Sequence, residues 1–267
     1  MRSRQFAPRD ELDAGHPPAV HVALTDGGYS GRVTEAVNAP MFASLDNFRD
    51  VGGCPTLDGR RIRTGRLYRS DSLTKLDATD AEAFALLGIR TVIDLRRPAE
   101  VAEHGRIADA VDRRYVNISP QHRLWDDYDY DEAAGPARFL ADRYLDLARE
   151  GARDLGVVMT TLAAAITEPT VVHCFAGKDR TGVVIALTLA ALGVDAGDIA
   201  NDYAVSNDWS VRFTADNIRP HWIPAPREAM TMFLADVATT YGSVSAYLES
   251  IGMKASDIEA LRDNLVA

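Results

Sequence analysis

Residues 171–182 read Val-Val-His-Cys-Phe-Ala-Gly-Lys-Asp-Arg-Thr-Gly, and they join a short apolar stretch to a long one. The stretch opens with β-branched residues, which favour a buried strand, and the apolar residues 183–192 are typical of a buried helix. The sequence therefore predicts a strand, a tight loop and a helix N-terminus in direct succession. Cys174 begins this loop, and Arg180 follows six residues later.

The rest of the chain predicts an α/β fold in which helices flank a central, mostly parallel sheet. Further strands are predicted at residues 65–70, 91–96 and 114–118. Helical periodicity covers residues 79–87, 137–150, 154–167, 195–206, 226–239, 243–251 and 255–265. Strands that alternate with helices, followed by a run of helices, are typical of this class. Such sheets bind ligands beyond the carboxyl ends of central strands, and we expect the loop to lie there.

The loop is suited to a phosphate group. Backbone N–H groups that curl around a helix N-terminus converge on one point, and the helix dipole favours an anion there. The Arg180 guanidinium adds a planar, two-pronged donor for phosphoryl oxygens. The same positive field stabilises a thiolate. We therefore expect Cys174 to attack phosphorus and form a phosphocysteine intermediate, which water then hydrolyses.

The remaining residues of the loop are assigned roles from their positions relative to Cys174 and Arg180. We assign contacts with the substrate to Phe175, Ala176, Gly177, Lys178, Thr181 and Gly182. The Thr181 hydroxyl is also expected to donate to the sulfur as it leaves, and His173 to order the loop through a backbone contact. Lys178 has two interpretations, as added charge for the phosphate or as an ordinary solvated loop lysine.

Two other classes of protein place similar residues between a strand and a helix. Gly177 and Lys178 suggest a nucleotide-binding loop, but that loop requires Gly at position 172 and Ser or Thr at position 179, where this chain has Val and Asp. Rhodanese-type sulfurtransferases also place a cysteine here, but their loops do not usually end in Arg-Thr-Gly. The remaining alternative is that Cys174 is simply a small buried apolar residue.

Composition indicates an ordinary globular protein, with 46% hydrophobic and 25% charged residues in 267. No linker rich in Pro, Gly or Ser divides the chain. No apolar run reaches the roughly 18 residues of a membrane span, and the first residues lack the apolar core of a signal peptide. We expect a cytoplasmic location, with export by another route left open. The net charge of −10 disfavours nucleic acid and anionic membranes as partners.

The chain has two cysteines, Cys54 and Cys174. Because one is the predicted nucleophile, a structural disulfide is not expected and a reducing compartment fits. Cys54 is interpreted as a thiol of a loop or of the core. The alternative is a reversible bridge that protects Cys174 from oxidation. No cofactor and no metal are expected.

Residues 173–182 resemble the loop of the bacterial phosphatases related to mycobacterial protein tyrosine phosphatase B. The similarity continues in residues 47–53, 65–70, 94–96 with Glu100, 202–203 with 206–207, and 241–243. It covers about residues 45–265. The resemblance implies a tyrosine-phosphatase-like fold and activity on phosphotyrosine, with phosphoserine, phosphothreonine and phosphoinositides as further substrates.

Three candidates are open for the general acid. Asp179 lies beside Arg180, and either protonates the leaving oxygen or orients its neighbours. Asp94 ends a strand expected near the catalytic one, and either buttresses the loop or acts as the acid itself. The third candidate is an exposed acidic loop or lid over residues 126–132. Its Trp125-Asp126-Asp127 has only a superficial similarity to the Trp-Pro-Asp loop of many tyrosine phosphatases.

The predicted domain organisation is an N-terminal arm, with a hairpin, over residues 1–44, followed by a phosphatase domain over residues 45–267. Two rival functions stay open. One is a lipid phosphatase acting on phosphoinositides, which the charge of Lys178 favours. The other is a phosphate-binding pseudophosphatase that recognises phosphoproteins without turnover, although such proteins usually lose the Cys or the Arg that this chain retains.

Overall fold

The computed structural model describes residues 42–108, 113–123, 130–208 and 223–267. Its strands are β1 Arg49–Asp50, β2 Leu67–Ser70, β3 Thr91–Asp94, β4 Arg114–Asn117 and β5 Thr170–His173. They form one sheet in the order β1-β2-β5-β3-β4. Strands β2, β5, β3 and β4 are parallel, whereas β1 is antiparallel to β2. The mostly parallel sheet is thus confirmed, with β5 at its centre.

The helices flank this sheet and largely match the predicted segments. They are α1 Ala78–Leu86, α2 Pro98–His104, α3 Gly135–Glu150, α4 Ala152–Ala165, α5 Asp179–Ala191, α6 Ala196–Ala204, α7 Arg227–Tyr241, α8 Val244–Ser250 and α9 Ala255–Leu265. Helix α2 was not predicted, because its seven residues give too short a periodic pattern. The predicted helix over 195–206 ends at Ala204 and continues as a short 3₁₀ turn, Val205–Asn207.

Successive residues of the central strands pack on opposite faces of the sheet. Val92 and Val171 belong to a smaller apolar cluster, whereas Ile93 and Val172 belong to the larger cluster that includes α5. Every residue of β5 is buried. A strand covered on both faces carries consecutive apolar residues rather than alternating ones, as Val92-Ile93 and Val171-Val172 do.

Strand register brings three carboxyl ends to the same edge of the sheet. His173, the last residue of β5, is level with Ser70 of β2 and with Asp94 of β3. The loop that begins at Cys174 therefore starts at the carboxyl edge, between the residues that follow the two neighbouring strands. This is the predicted position.

Several sequence predictions lie outside the described residues. These are the hairpin within residues 1–41, the Trp125-Asp126-Asp127 segment and most of the acidic loop. Residues 130–132, which end that loop, are exposed as predicted. None of the helices in the described part of the chain has the length and apolar character needed to cross a membrane.

Candidate active site

The loop joins β5 directly to the N-terminus of α5. Cys174 follows the strand and is only 2% exposed, and Asp179 is the first residue of α5. The Gly177 N–H donates a hydrogen bond to Cys174 Sγ at 3.2 Å. The sulfur therefore lies inside the turn of the loop, close to its backbone donors and to the positive end of a helix.

The carbonyl oxygens of the loop are bound by groups outside the phosphate site. The pairs are Ser72 N with Phe175 O at 3.0 Å, Asn47 Nδ2 with Ala176 O at 2.9 Å, Arg69 Nη2 with Gly177 O at 2.8 Å, and His173 Nδ1 with Cys174 O at 3.2 Å. Because the two polar groups of a peptide point in opposite directions, this turns the N–H groups toward the inside of the loop. The backbone contact predicted for His173 is among these bonds.

Gly177 is required by the shape of the loop. Its φ of +68° lies in the left-handed region, and a Cβ on it would lie 2.4 Å from the Ser70 carbonyl oxygen. Only glycine allows the loop to pass this close to the end of β2. The close approach also places the Gly177 carbonyl within reach of Arg69.

A buried cluster of charges supports the loop from below. Arg69 is fully buried in β2 and forms an ion pair with Asp202 of α6. Asp202 also pairs with Arg49 of β1 at 2.8 Å. Burial alone would raise the pKa of Asp202, but the charges of Arg49 and Arg69 outweigh it and lower the pKa to about 2. Asp202 thus stays ionised and holds Arg69 against the loop.

Arg180 is held by a carboxylate of its own chain. Its Nη1 and Nη2 donate to the two oxygens of Glu100 at 2.6 and 2.9 Å, and Nη1 also donates to Leu95 O at 3.2 Å. These bonds use three of the five guanidinium N–H groups. The other two N–H groups, on Nε and Nη2, lie along one edge of the planar guanidinium and have no hydrogen-bond partner among the described residues. These two groups are arranged as a two-pronged donor, and their contact with phosphoryl oxygens stays a prediction.

The Glu100 carboxylate is held ionised by this pairing. Burial raises its pKa, but the hydrogen bonds and charge of Arg180 dominate and lower it to about 2. Glu100 also accepts the Arg97 N–H at 2.7 Å, which fixes it at the start of α2. The unpredicted helix α2 therefore supplies the anchor of Arg180.

Asp179 and Lys178 lie side by side at the helix N-terminus. Asp179 Oδ1 accepts a hydrogen bond from the Tyr144 hydroxyl at 2.7 Å, and Lys178 Nζ is 3.5 Å from the same oxygen. Lys178 also donates to Ile223 O at 2.6 Å and is only 3% exposed. The interpretation of Lys178 as a solvated loop lysine is therefore wrong, because its ammonium group is buried against the Ile223 carbonyl. The sequence does not reveal this contact, since the two residues are 45 positions apart.

Asp94 is fully buried and its carboxylate is occupied. It binds Arg96 through Nε and Nη2, and it accepts the Tyr115 hydroxyl at 2.7 Å. Burial raises its pKa, but the bonds from Arg96 and the charge of His173 lower it overall. His173 Nε2 lies 3.6 Å from Asp94, and burial lowers the pKa of this imidazole. These contacts favour the buttressing interpretation of Asp94.

Thr181 and Gly182 lie in the first turn of α5. The Thr181 hydroxyl is buried without a hydrogen-bond partner in the described part of the chain, so the predicted bond to Cys174 is not formed in this state. Gly182 packs against the ring of Tyr203, since a Cβ on it would lie 3.2 Å from Tyr203 Cδ2. Gly182 therefore serves packing of the helix against α6.

The second cysteine is a free thiol, as is Cys174. Cys54 is half-buried, and burial together with the nearby charges of Asp202 and Asp198 raises its pKa to about 11. Its protective role stays a prediction. Within residues 42–108, 113–123, 130–208 and 223–267, no group of three or more His, Cys, Asp or Glu side chains is arranged to hold a metal ion.

Sequence reasoning missed several residues of this site. Asn47, Arg69, Glu100 and Asp202 entered only as parts of resembling segments, and Tyr144 did not enter at all. A signal existed for Arg69, because a charged residue within an otherwise apolar strand requires a buried partner. Tyr144 carried no such signal, since an aromatic residue on an amphipathic helix is usually part of the core.

Comparisons with known proteins agree with this geometry. A family model described as the tyrosine phosphatase family matches residues 40–267. The triple specificity protein phosphatase PtpB of Mycobacterium tuberculosis is 32% identical over 275 residues, covering 82% of this chain and 96% of that protein. A putative tyrosine-protein phosphatase of Cupriavidus necator is 33% identical over 184 residues, which are 64% of each chain.

The crystal structure of TpbA from P. aeruginosa covers 76% of this chain and 88% of its own, with a TM-score of 0.36 and 18% identity. The family model spans most of the chain, and the mycobacterial relative matches nearly its own full length. This chain therefore belongs to the tyrosine phosphatase family.

Proposed function

We propose that this protein hydrolyses phosphotyrosine monoesters, with phosphoserine and phosphothreonine as further substrates, through a phosphocysteine intermediate on Cys174. The family assignment supports the reaction, and the name of the mycobacterial relative, a triple specificity phosphatase, supports the wider substrate range. The observation that carries the proposal is the arrangement of hydrogen-bond donors around the loop. Its carbonyls are bound from outside, and two N–H groups of Arg180 have no partner among the described residues.

The first chemical step transfers the phosphoryl group to sulfur. The Cys174 thiolate attacks phosphorus, the S–P bond forms, and the bond from phosphorus to the leaving oxygen breaks. Arg180 and the loop N–H groups bind the three remaining oxygens, where negative charge is spread in the transition state. Since these donors are already fixed by Glu100 and by the outer hydrogen bonds, little reorganisation accompanies the reaction.

We assign the leaving-group proton to Asp179. It lies next to Arg180 at the helix N-terminus, and its side chain is 20% exposed, so a substrate oxygen can reach it. In the second step Asp179 accepts a proton from water as the water oxygen attacks phosphorus and the S–P bond breaks. Asp94 is left a positioning role, because its oxygens are occupied by Arg96 and Tyr115.

The Thr181 hydroxyl has a role in the second step. It is buried with no bond in the described residues, and it immediately follows Arg180. A hydroxyl in that position is able to donate to the sulfur when negative charge returns to it. We propose that Thr181 makes this bond only in the phosphorylated or transition state.

The Cys174→Ser variant tests the mechanism. A serine hydroxyl does not ionise in this field as a thiol does, whereas the loop donors and Arg180 remain. We expect turnover of a phosphotyrosine peptide to be lost while the peptide still binds, measured by calorimetry. Activity within tenfold of the wild type, or activity that depends on added metal, contradicts the mechanism. Loss of binding together with loss of fold, seen by circular dichroism, calls for the Cys174→Ala variant as the second measurement.

A phosphoinositide is the second candidate substrate, and the ammonium charge of Lys178 beside Asp179 in the loop is the observation that favours it. A substrate with several phosphates brings more charge to the loop than phosphotyrosine does, so a lysine there should favour it. Lys178→Ala should lower kcat/KM more for a phosphoinositide than for a phosphotyrosine peptide, and the difference should shrink as salt rises. The exposed Lys254→Ala variant, which removes the same charge elsewhere, is the control. Equal losses on both substrates contradict the lipid interpretation.

The domain organisation is likewise our proposal. We infer that residues 45–267 carry the phosphatase function and that residues 1–44 form an N-terminal arm. Phe42 nevertheless packs against Phe48 and Phe84 in the smaller apolar cluster, so Phe42 itself belongs to the same compact unit as the loop. A cytoplasmic location and the exclusion of nucleic acid stay predictions from the sequence.

A further inference from the structure

Two buried tyrosine hydroxyls lie in line with Asp179. Tyr144 of α3 and Tyr203 of α6 are almost fully buried, and their hydroxyl oxygens are 2.5 Å apart. The Tyr144 hydroxyl is also 2.7 Å from Asp179 Oδ1. The Tyr144 hydroxyl donates its one proton to Asp179 Oδ1, so in the bond between the two hydroxyls Tyr203 is the donor and Tyr144 the acceptor.

Packing fixes this pair of hydroxyls. The Tyr144 ring meets the rings of Tyr203 and Phe233 edge to face, with centroids 5.9 and 6.1 Å apart. The Tyr203 ring packs against α5 at the position where Gly182 leaves room for it. It also directly follows Asp202, which holds Arg69 under the loop. Helix α6 therefore supports both the loop backbone and the proposed acid.

Among the described residues, the polar and charged groups around Asp179 contact only one of its two carboxylate oxygens. Tyr144 and Lys178 both contact Oδ1, at 2.7 and 3.5 Å. Tyr203 reaches Oδ1 only through Tyr144, and Arg180 acts through its charge alone. Oδ2 accepts no hydrogen bond from the described residues. The two oxygens therefore differ, because one is bound within the protein and the other is available to a substrate.

We propose that Tyr144, itself oriented by Tyr203, is a positioning residue that binds Asp179 Oδ1 and makes Oδ2 the oxygen that carries the catalytic proton. The inference rests on the proposed role of Asp179 as the acid. When the proton leaves Oδ2 for the leaving oxygen, negative charge develops on the carboxylate. The Tyr144 hydrogen bond then becomes a bond to a charged acceptor and strengthens in the transition state.

Both tyrosines keep their protons over the working range of pH. Burial, and then the charge of Asp179, raise the pKa of Tyr144 and of Tyr203 well above the ordinary value. The two hydroxyls are therefore neutral donors at any pH at which the enzyme would act. Neither competes with Asp179 for the role of the acid.

The test compares Tyr144→Phe with wild type on two aryl phosphates. Phenyl phosphate has a poor leaving group that needs protonation, whereas 4-nitrophenyl phosphate has a good one that does not. We expect kcat/KM to fall by roughly tenfold or more on phenyl phosphate and by less than about threefold on the nitrophenyl ester. The basic limb of the pH profile of kcat/KM for phenyl phosphate should shift upward by about 1 pH unit, since the ionised Asp179 carboxylate loses the hydrogen bond from Tyr144.

Three further variants complete the test. Tyr203→Phe keeps the Tyr144 donor and should show a smaller change of the same kind. Tyr247→Phe is the matched control, because its buried hydroxyl donates to Ala148 O at 2.8 Å, away from the site. This control should leave the leaving-group dependence and the pH profile unchanged. Asp179→Asn should show the strongest dependence on the leaving group.

Each of the other possible results overturns either the acid role of Asp179 or the positioning role of Tyr144. If Asp179→Asn loses the same activity on both substrates, the acid assignment itself fails. If Asp179→Asn depends on the leaving group but Tyr144→Phe does not, the acid stands and the positioning role of Tyr144 is overturned. Equal losses for Tyr144→Phe on both substrates, with an unshifted pH profile and a melting temperature matching that of Tyr247→Phe, show a purely structural residue and also overturn the inference.

Discussion

Replacement of Glu100 by glutamine removes the anchor of Arg180 at little cost in volume. Glu100 accepts from both terminal nitrogens of the Arg180 guanidinium, at 2.6 and 2.9 Å. A glutamine keeps one acceptor oxygen and places an NH₂ group opposite the other guanidinium N–H. Two donors then face each other, so one charge-assisted hydrogen bond is replaced by a repulsive contact.

The pKa of Glu100 sets the size of the effect. It falls from 4.5 to about 2, and the Glu100 side chain is only 18% exposed. A pKa shift of about 2.5 at about 1.4 kcal/mol per pKa unit corresponds to roughly 3.5 kcal/mol at most. A hydrogen bond to a charged partner contributes about 1.5–3 kcal/mol, which is the same range. We therefore expect Glu100→Gln to lower the free energy of unfolding by about 2–3 kcal/mol at pH 7.

The effect has a defined dependence on pH. The folded pKa is depressed, so this stabilisation is fully present above the unfolded value of 4.5 and is lost as pH falls toward 2. Urea denaturation should give a constant difference between wild type and variant above about pH 6, and a shrinking one below 4.5. Glu103→Gln is the control, since Glu103 lies on the same helix with its side chain 74% exposed.

Activity should fall together with stability. With the carboxylate gone, Arg180 keeps only one acceptor on residue 100 and the Leu95 carbonyl, so it is held less firmly, and we expect kcat/KM on a phosphotyrosine peptide to fall by roughly ten- to a hundredfold. Glu103→Gln should stay within about twofold of wild type. A Glu100→Gln enzyme with wild-type kcat/KM, or a stability difference that does not change between pH 7 and pH 4, refutes the reasoning.

Three further substitutions test separate parts of the site. Arg180→Lys keeps the charge but not the two-pronged donor, so kcat should fall by about a hundredfold or more; a nearly normal kcat shows that Arg180 does not contact the phosphoryl group. Gly177→Ala should cost several times the roughly 1 kcal/mol expected for Gly193→Ala, because both have positive φ but only the former meets a carbonyl, at 2.4 Å; equal losses in thermal denaturation contradict this. Asp202→Asn leaves Arg49 and Arg69 without their carboxylate, so unfolding free energy should fall by about 3–5 kcal/mol; a loss under 1 kcal/mol in urea contradicts it.

The fold was predictable where a pattern is local and long. Strand β5 contains Val171-Val172 and helix α5 the mostly apolar residues 183–191, and an apolar run between turn signals indicates a strand or helix buried on all sides. Helix α2 escaped prediction because seven residues do not establish a period. Its signal was Pro98 at the first position with Glu100 two residues later, a pattern typical of a helix N-terminus.

The site was predictable only as far as one loop extends. Cys174 and Arg180 are identified by spacing within a single turn of chain, but their supports come from far along it. Asn47 and Ala176 are 129 residues apart, Glu100 and Arg180 are 80 apart, and Tyr144 and Asp179 are 35 apart. Contacts of that kind are decided by how helices pack on the sheet. The residues that hold the loop therefore emerge from the structure rather than from the motif.

The central claim is that phosphate passes through a covalent bond to Cys174. The most direct measurement mixes enzyme with a substrate carrying a labelled phosphoryl group, stops the reaction within milliseconds in denaturant, and maps the label by peptide mass spectrometry. We expect a burst of labelled protein with the phosphate on the peptide that contains Cys174, and no such label in the Cys174→Ser variant. Product formation without labelled protein during the first turnover, or label on any residue other than Cys174, contradicts the claim.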